Sequence, residues 1–328
     1  MPALLISVIA PVFGVVFASW LLARTFTLPT RLMTGFQRLT FDVLVPALLF
    51  HTMATVPVLA QLDVNVLLAY YLPTLSIYGL LFGAMCAAGR SARHANILAL
   101  GGSYSNAVLL GIPLILRAYG DNASAPLFAI VGLHSAAMFF LTTLIHELAS
   151  ADLRMASLVR DTLLRLVRNP ILMALLAGAA VHAWAIELPA LLLQLTGACR
   201  TVAPYAALLA MGVGIAAYDL HGARADAITV VLCKLVLHPL LVWLCCLWLL
   251  APPGLHGQAG LTAPADLTAP ADLIAKVLIT LAALPSGINA YLFAVRFGAA
   301  EDASASAILL STALSIVSLA GVLYWLAP

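Results

Sequence analysis

The chain has 328 residues, 64% of them hydrophobic and 9% charged, with mean hydropathy +1.09 and a formal net charge of +2. A soluble domain carries roughly a quarter charged residues, so this balance excludes one and points to a bilayer. Neither the net charge nor any basic run supports a nucleic-acid partner. The length accommodates about ten membrane spans of roughly 20 residues with loops. The five cysteines, Cys86, Cys199, Cys233, Cys245 and Cys246, all lie in apolar stretches, which argues against a disulfide framework, a zinc site or any other cofactor.

In chain order the apolar spans fall at roughly 3–23, 36–57, 66–88, 95–117, 125–147, 170–187, 190–216, 226–250, 272–296 and 304–326. The first cation, Arg24, follows the first apolar run rather than preceding it, so that run reads as a helix and not as a cleavable signal. The connections after the odd-numbered spans carry Arg24 and Arg31, Arg90 and Arg93, then Arg154, Arg160, Arg165 and Arg168, then Arg224, and finally Arg296 at a span edge. Those after the even-numbered spans carry essentially Arg117 alone. The odd connections are therefore expected in the cytoplasm and both termini outside, as in a multi-pass protein of a bacterial inner membrane. The polar connection 149–169 ends in Asn169-Pro170, a natural helix start. It separates a five-span unit, 1–148, from a second, 170–328. Because five is odd, the second unit must be inverted relative to the first. The expected fold is an all-α membrane protein of ten transmembrane helices in a 5+5 inverted repeat. Internal similarity agrees: with Pro46 superposed on Pro204, Asp42 falls opposite Arg200. The loop 251–271 contains a tandem Leu-Thr-Ala-Pro-Ala-Asp and reads as a flexible outer loop.

Spans four and nine are interrupted by short polar segments. The first runs Gly101-Gly102-Ser103-Tyr104-Ser105-Asn106 and is followed by Gly111-Ile112-Pro113. The second runs Leu284-Pro285-Ser286-Gly287-Ile288-Asn289-Ala290-Tyr291. A span in lipid keeps its backbone groups paired internally, so a break is tolerated only where protein or water pairs the freed groups. Breaks at corresponding places in two halves mark the substrate site of a secondary transporter. Superposing them puts Pro285 opposite Ser105. The candidate substrate-binding set is Ser103, Ser105, Asn106, Gly111, Pro113, Pro285, Ser286, Gly287, Asn289 and Tyr291. If the segments cross, their freed N–H groups and half-helix N-termini favour an anion. The plainer reading is a pair of kinked helices with small residues for close packing.

These two segments resemble the auxin efflux carrier family, which includes plant auxin carriers and bacterial permeases for malonate and similar acids. Leu44-Val45-Pro46-Ala47-Leu48-Leu49-Phe50, Arg168-Asn169-Pro170 and the stretch from Lys234 to His238-Pro239 are similar to it too. The resemblance covers nearly the whole chain. It implies a ten-helix inverted repeat with spans four and nine crossing at their breaks. It also implies a scaffold of spans one, two, six and seven, a moving unit of the rest, a homodimer and organic-anion substrates. Ser105 stands where the plant carriers have the proline of the first crossing.

Ionisable residues inside spans are functional candidates by default. Arg200 lies about ten residues into its span, roughly 15 Å along a helix. Arg200, Asp42 and Lys234 are candidates for charge coupling, weighed against snorkelling to the membrane surface. Lys234 and His238 share one helix face, and the Lys234 ammonium is placed to bond carbonyls freed by Pro239. His51, His134 and His182 are isolated and read as packing residues. His146-Glu147 lacks the second histidine of a zinc-protease motif, and no phosphate-binding loop occurs. The leading function is a carrier of small organic anions. The alternatives are a sodium-coupled symporter of the bile-acid-carrier type and, in another class, an intramembrane enzyme, for which no nucleophile–base pair is found.

Overall fold

The computed structural model describes residues 2–26, 29–56, 63–149, 169–216, 224–250 and 269–326. The arginine-bearing linker residues 154, 160, 165 and 168, the side chain of Arg224 and the loop 251–268 lie outside the described residues. Among the described residues the regular structure is helical, save for one isolated β-bridge. The helices are α1 (Pro2–Thr25), α2 (Thr30–Leu39), α3 (Val45–Thr55), α4 (Val64–Ala87), α5 (Ala92–Ser103), α6 (Ile112–Tyr119), α7 (Ser124–Leu148), α8 (Pro170–Ala183), α9 (Ala190–Ile215), α10 (Arg224–Leu232), α11 (His238–Leu249), α12 (Ala269–Ala283), α13 (Asn289–Phe297) and α14 (Glu301–Trp325).

Seven described stretches are long and apolar enough to cross a membrane: Ile6–Thr25, Arg31–Thr55, Val64–Ala87, Asp121–Leu148, Ala190–Ile215, Ala225–Leu249 and Glu301–Trp325. The expected span 170–187 corresponds to the shorter apolar helix α8. The expected spans 95–117 and 272–296 are each divided, between α5 and α6 and between α12 and α13. Asn169 caps α8 by accepting from the N–H groups of Ile171 and Leu172 at 3.0 and 3.3 Å, which is what an asparagine before a helix-starting proline does.

Three prolines widen the helix before them in the same way. Five-residue π-helical turns occupy Thr40–Leu44, Ala107–Gly111 and Cys233–Leu237, and Pro46, Pro113 and Pro239 each stand two residues after one. A proline has no N–H to give to the carbonyl four residues back, and its ring crowds that carbonyl. The preceding N–H then reaches one residue further, from Val45 to Thr40 O, from Ile112 to Ala107 O and from His238 to Cys233 O. The sequence places one such turn beside Asp42, one just after the first break and one at Lys234.

The helices pack most closely in two sets. In one, α1 lies against α9, and α3 against α8 and α9; in the other, α4 lies against α5 and α11, α10 against α14, and α11 against α12. A methyl on Gly212 of α9 would fall 2.3 Å from Val16 O, so the α1 and α9 backbones touch there, as small residues permit in a membrane.

Between these sets the chain leaves the helix at Tyr104–Asn106 and again at Leu284–Ile288. The two segments meet as an antiparallel bridge between Ser105 and Ser286. Asn106 N–H donates to Pro285 O at 3.0 Å, and Gly287 N–H donates to Tyr104 O at 2.9 Å. The register differs by one residue from the superposition drawn on sequence: Ser286, not Pro285, stands opposite Ser105. The pairing follows the N–H groups of Asn106 and Gly287, each of which reaches a carbonyl of the other segment.

Candidate functional site

The bridge resolves the polar accounting that a helix break creates. With α5 ended at Ser103, the carbonyl of Gly101 loses its helical donor, and the Ser286 hydroxyl from the other segment supplies one. The N–H of Ser105 donates instead to His134 Nε2 on α7 at 3.2 Å. In the second break the N–H of Ser286 donates to Ser311 Oγ on α14 at 3.1 Å. The carbonyl it would have met, Ala282 O, accepts from Lys234 Nζ at 2.6 Å. The same two kinds of contact therefore occur on both sides of the bridge, four in all, each break capped by elements distant in sequence.

Lys234 is fully buried. Besides Ala282 O, its Nζ lies 2.8 Å from Ser105 Oγ and 3.0 Å from His238 Nδ1. Three acceptors match the three N–H bonds of an ammonium. The Thr74 hydroxyl donates to Tyr70 O at 2.7 Å and so accepts from His238 Nε2 at 3.0 Å, which leaves Nδ1 free to receive Lys234. Lys234 thus bonds a carbonyl freed by the second break, rather than one freed by the neighbouring Pro239. His134, read from sequence as an isolated packing residue, holds the backbone of the first break and stacks on Tyr104 with ring centroids 4.8 Å apart.

A cavity of about 760 Å³ reaches the bridge from one end of the bundle. Its floor is Tyr104, Ser105, Asn106 and Asn289. Apolar walls come from Phe41 of the first π turn, Val108 and Leu109 of the second, Phe139 of α7, and Ile288 and Leu292. Thr34, Gln37 and Asp42 stand toward its rim, with Asn169 and Pro170 at the start of α8. Among the described residues that line it, Asp42 is the one charged side chain. Asn289 Nδ2 donates to Tyr104 OH at 3.0 Å, and that hydroxyl lies 2.8 Å from Ser135 Oγ, so a chain of three polar groups edges the floor. Among the described residues Asn106 Nδ2 has Met211 Sδ as its partner at 3.6 Å, a weak acceptor that a carboxylate oxygen would readily replace.

The sequence-derived candidates are thus distributed unequally. Ser105, Asn106 and Asn289 line the cavity, and Asp42 sits toward its mouth. Pro285, Ser286 and Gly287 form the second strand of the bridge beneath it. Ser103 is fully buried and donates within its own helix to Ala99 O at 2.7 Å. Gly111 faces the Leu281 and Leu284 side chains, Pro113 lines a different crevice, and Tyr291 is half-buried on α13 outside the cavity lining. Arg200 is ion-paired with Asp121, away from Asp42. Residues that sequence reasoning passed over are Tyr104, Ser135, Phe139 and Gln37. Tyr104 lies within the polar segment and was recoverable; the others come from spans without any break.

Comparison with known proteins bears on the family of the chain. A protein from Rhizobium meliloti (strain 1021), named "Putative malonate transporter", is 25% identical over 318 residues, covering 96% of this chain and 94% of that protein. A family described as membrane transport protein matches residues 4–323. The chain therefore belongs to that membrane transport family, the family of the auxin efflux carriers, and is a transporter rather than an enzyme.

Proposed function

We propose that the protein is a secondary carrier of small organic anions, carboxylates above all, that works by alternating access around the crossing of two broken spans. The observation that carries this reading is the cavity that ends on the Ser105–Ser286 bridge, with the Asn106 and Asn289 amides on its floor. A carboxylate seated there would accept from these amides, while Lys234 lies one hydroxyl behind, through Ser105. The membrane transport family and the relative's name support a transported acid.

The finer architecture belongs to the same proposal. Ten spans form two inverted five-helix units, 1–148 and 170–328, joined by the cytoplasmic segment 149–169. Spans four and nine are α5 with α6 and α12 with α13. The α1–α3–α8–α9 set serves as scaffold and pairs two copies into a homodimer; the remaining helices move against it. Both termini face outward, so the cavity opens to the cytoplasm. Of the candidate site residues, Ser105, Asn106, Asn289 and, through the bridge, Pro285, Ser286 and Gly287 hold substrate. Ser103, Gly111, Pro113 and Tyr291 shape the two breaks. Lys234 supplies charge beneath the crossing, and Asp42 and Arg200 stand at the two entrances.

A sodium-coupled mechanism is disfavoured by one feature. The oxygens freed at the second break and at Ser105 already have Lys234 as partner, which leaves them without need of a bound ion. Uptake of radiolabelled mono- and dicarboxylates into proteoliposomes, with and without imposed sodium or proton gradients, tests the proposal. Uptake of an acid that persists without sodium is expected. Strict sodium dependence would favour the symporter, and failure of every acid would overturn the carrier reading.

A further inference from the structure

Away from the cavity, two arginines tie described parts of the bundle together. Arg117 on α6 donates through Nε to Ser7 O on α1 at 2.7 Å. Arg200 on α9 forms an ion pair with Asp121, in the turn that follows α6. Both contacts tie α6, the helix leading away from the first break, to the α1–α9 pair. Arg200 and the cavity-lining Gly214 are on the same helix, roughly 20 Å apart at 1.5 Å per residue.

The ground around Arg200 is shaped as an entrance. A crevice of about 360 Å³ is lined by His51, Leu116, Asp121, Gly197, Arg200 and Thr201. Leu116 and Thr201 also line a neighbouring crevice of about 250 Å³ that extends to Pro113 at the start of α6. Two adjoining crevices thus lie beside α6 and α9, one at Arg200 and one reaching Pro113, and together form a groove. Arg200 is about a third exposed and Asp121 more than three-quarters exposed, so the aspartate comes to the guanidinium from the solvent side. A guanidinium receives one carboxylate much as it receives another, and a substrate arriving from this end meets the position that Asp121 fills.

We propose that Arg200, flanked by Thr201 and His51, is the carboxylate-binding residue of a second access site, which the protein's own Asp121 occupies in this conformation. The proposal rests on the carrier reading above. As α6 moves away from α9, Asp121 departs and Arg200 becomes available to the anion. As the groove closes again, Asp121 displaces the anion and restores the pair. An exposed ion pair is weak enough to exchange in this way.

The test uses the full chain in detergent micelles, where both ends of the bundle are accessible. Leu116→Cys is placed in a chain whose five native cysteines are alanine. It is reacted with two methanethiosulfonates, one bearing a sulfonate and one a trimethylammonium group. In Asp121→Asn both rates should rise about two- to fivefold, the scale set by loss of an exposed pair. The sulfonate-to-ammonium ratio should rise by a similar factor, because Arg200 is then free to attract the anion. In Arg200→Gln both rates should rise while the ratio falls. Asp121→Asn combined with Arg200→Lys, which keeps a cation, should retain the raised ratio, so a misfolded glutamine variant does not decide the matter. An unchanged ratio in Asp121→Asn would overturn the anion site, and unchanged rates would overturn the closure as well. No substrate enters this assay. Its failure is therefore distinct from failure of the carrier reading, which the proteoliposome uptake decides.

Discussion

Gly287→Ala tests whether the two breaks meet as closely as the site requires. A methyl on Gly287 would stand 2.4 and 2.5 Å from Tyr104 Cδ1 and Cε1, and 3.3 Å from Ser105 O. Carbon atoms rest at about 3.5–4.0 Å, so the shortfall exceeds an ångström. Tyr104 cannot retreat freely. Its ring lies on His134 at 4.8 Å, and its hydroxyl is held by Ser135 at 2.8 Å and Asn289 at 3.0 Å. Either the ring is forced from this setting, at the roughly 1–3 kcal/mol usual for overpacking, or the segments part. Parting stretches the bonds from Gly287 N to Tyr104 O and from Asn106 N to Pro285 O, each worth about 0.5–1.5 kcal/mol. Both routes give a loss of about 1–3 kcal/mol, or a melting temperature lowered by about 1–5 °C. Asn289 stands two residues away and shifts with the break. Losing its bond to a charged ligand would weaken binding roughly 10- to 150-fold. Gly321→Ala is the control, since nothing lies within 4 Å of the added methyl. Thermal unfolding in micelles and equilibrium binding of a transported acid supply the readouts. A Gly287→Ala protein as stable and as tight-binding as Gly321→Ala would refute the close approach.

Other expectations follow from the same contacts. Lys234→Met should leave Ala282 O without a donor, an unsatisfied buried group worth about 1–3 kcal/mol, partly offset because a buried cation no longer has to be desolvated. Transport lost with little change in melting temperature is therefore the expected result, and wild-type transport would refute a role beneath the crossing. Asp226 accepts from Arg90 at 2.9 Å and His94 at 3.0 Å, joining the start of α10 to the α4–α5 connection and the first turn of α5. Asp226→Asn should cost about 1–2 kcal/mol, because Arg90 is nearly half exposed, with substrate affinity unchanged. A cysteine at position 160 should resist an impermeant thiol reagent applied to intact cells, and labelling would reverse the proposed orientation. Native mass measurement in nanodiscs should give a dimer, and monomer alone would remove the scaffold-pairing proposal.

The helices, the two breaks and the cap at Asn169 were legible because each depends on residues near in sequence. Prolines and glycines at Gly101–Pro113 and Leu284–Gly287 announce backbone that cannot remain helical. What fills the freed positions was not legible. The Gly101 carbonyl is capped from Ser286, the Ala282 carbonyl from Lys234, and the Ser105 N–H from His134. Each partner lies 29 to 185 positions away. A lone histidine or lysine in an apolar run gives no sign of such a role. The one-residue difference in register has the same origin, since the pairing is decided by hydrogen bonds between segments rather than by which residues look alike. Arg200 and Asp42, matched by internal similarity, line two separate cavities.

Binding of a transported acid to three variants tests the central claim most directly. The acid taken up best by proteoliposomes would be titrated calorimetrically into the wild type, Asn106→Ala, Asn289→Ala and His182→Ala. Asn106 and Asn289 line the cavity floor, whereas His182 lies near Ala54 O at 3.3 Å, away from the cavity lining. Each asparagine variant should bind roughly 10- to 150-fold more weakly, the loss of one hydrogen bond to a charged ligand, while His182→Ala binds like the wild type. Wild-type affinity in both asparagine variants would contradict a substrate held at the crossing.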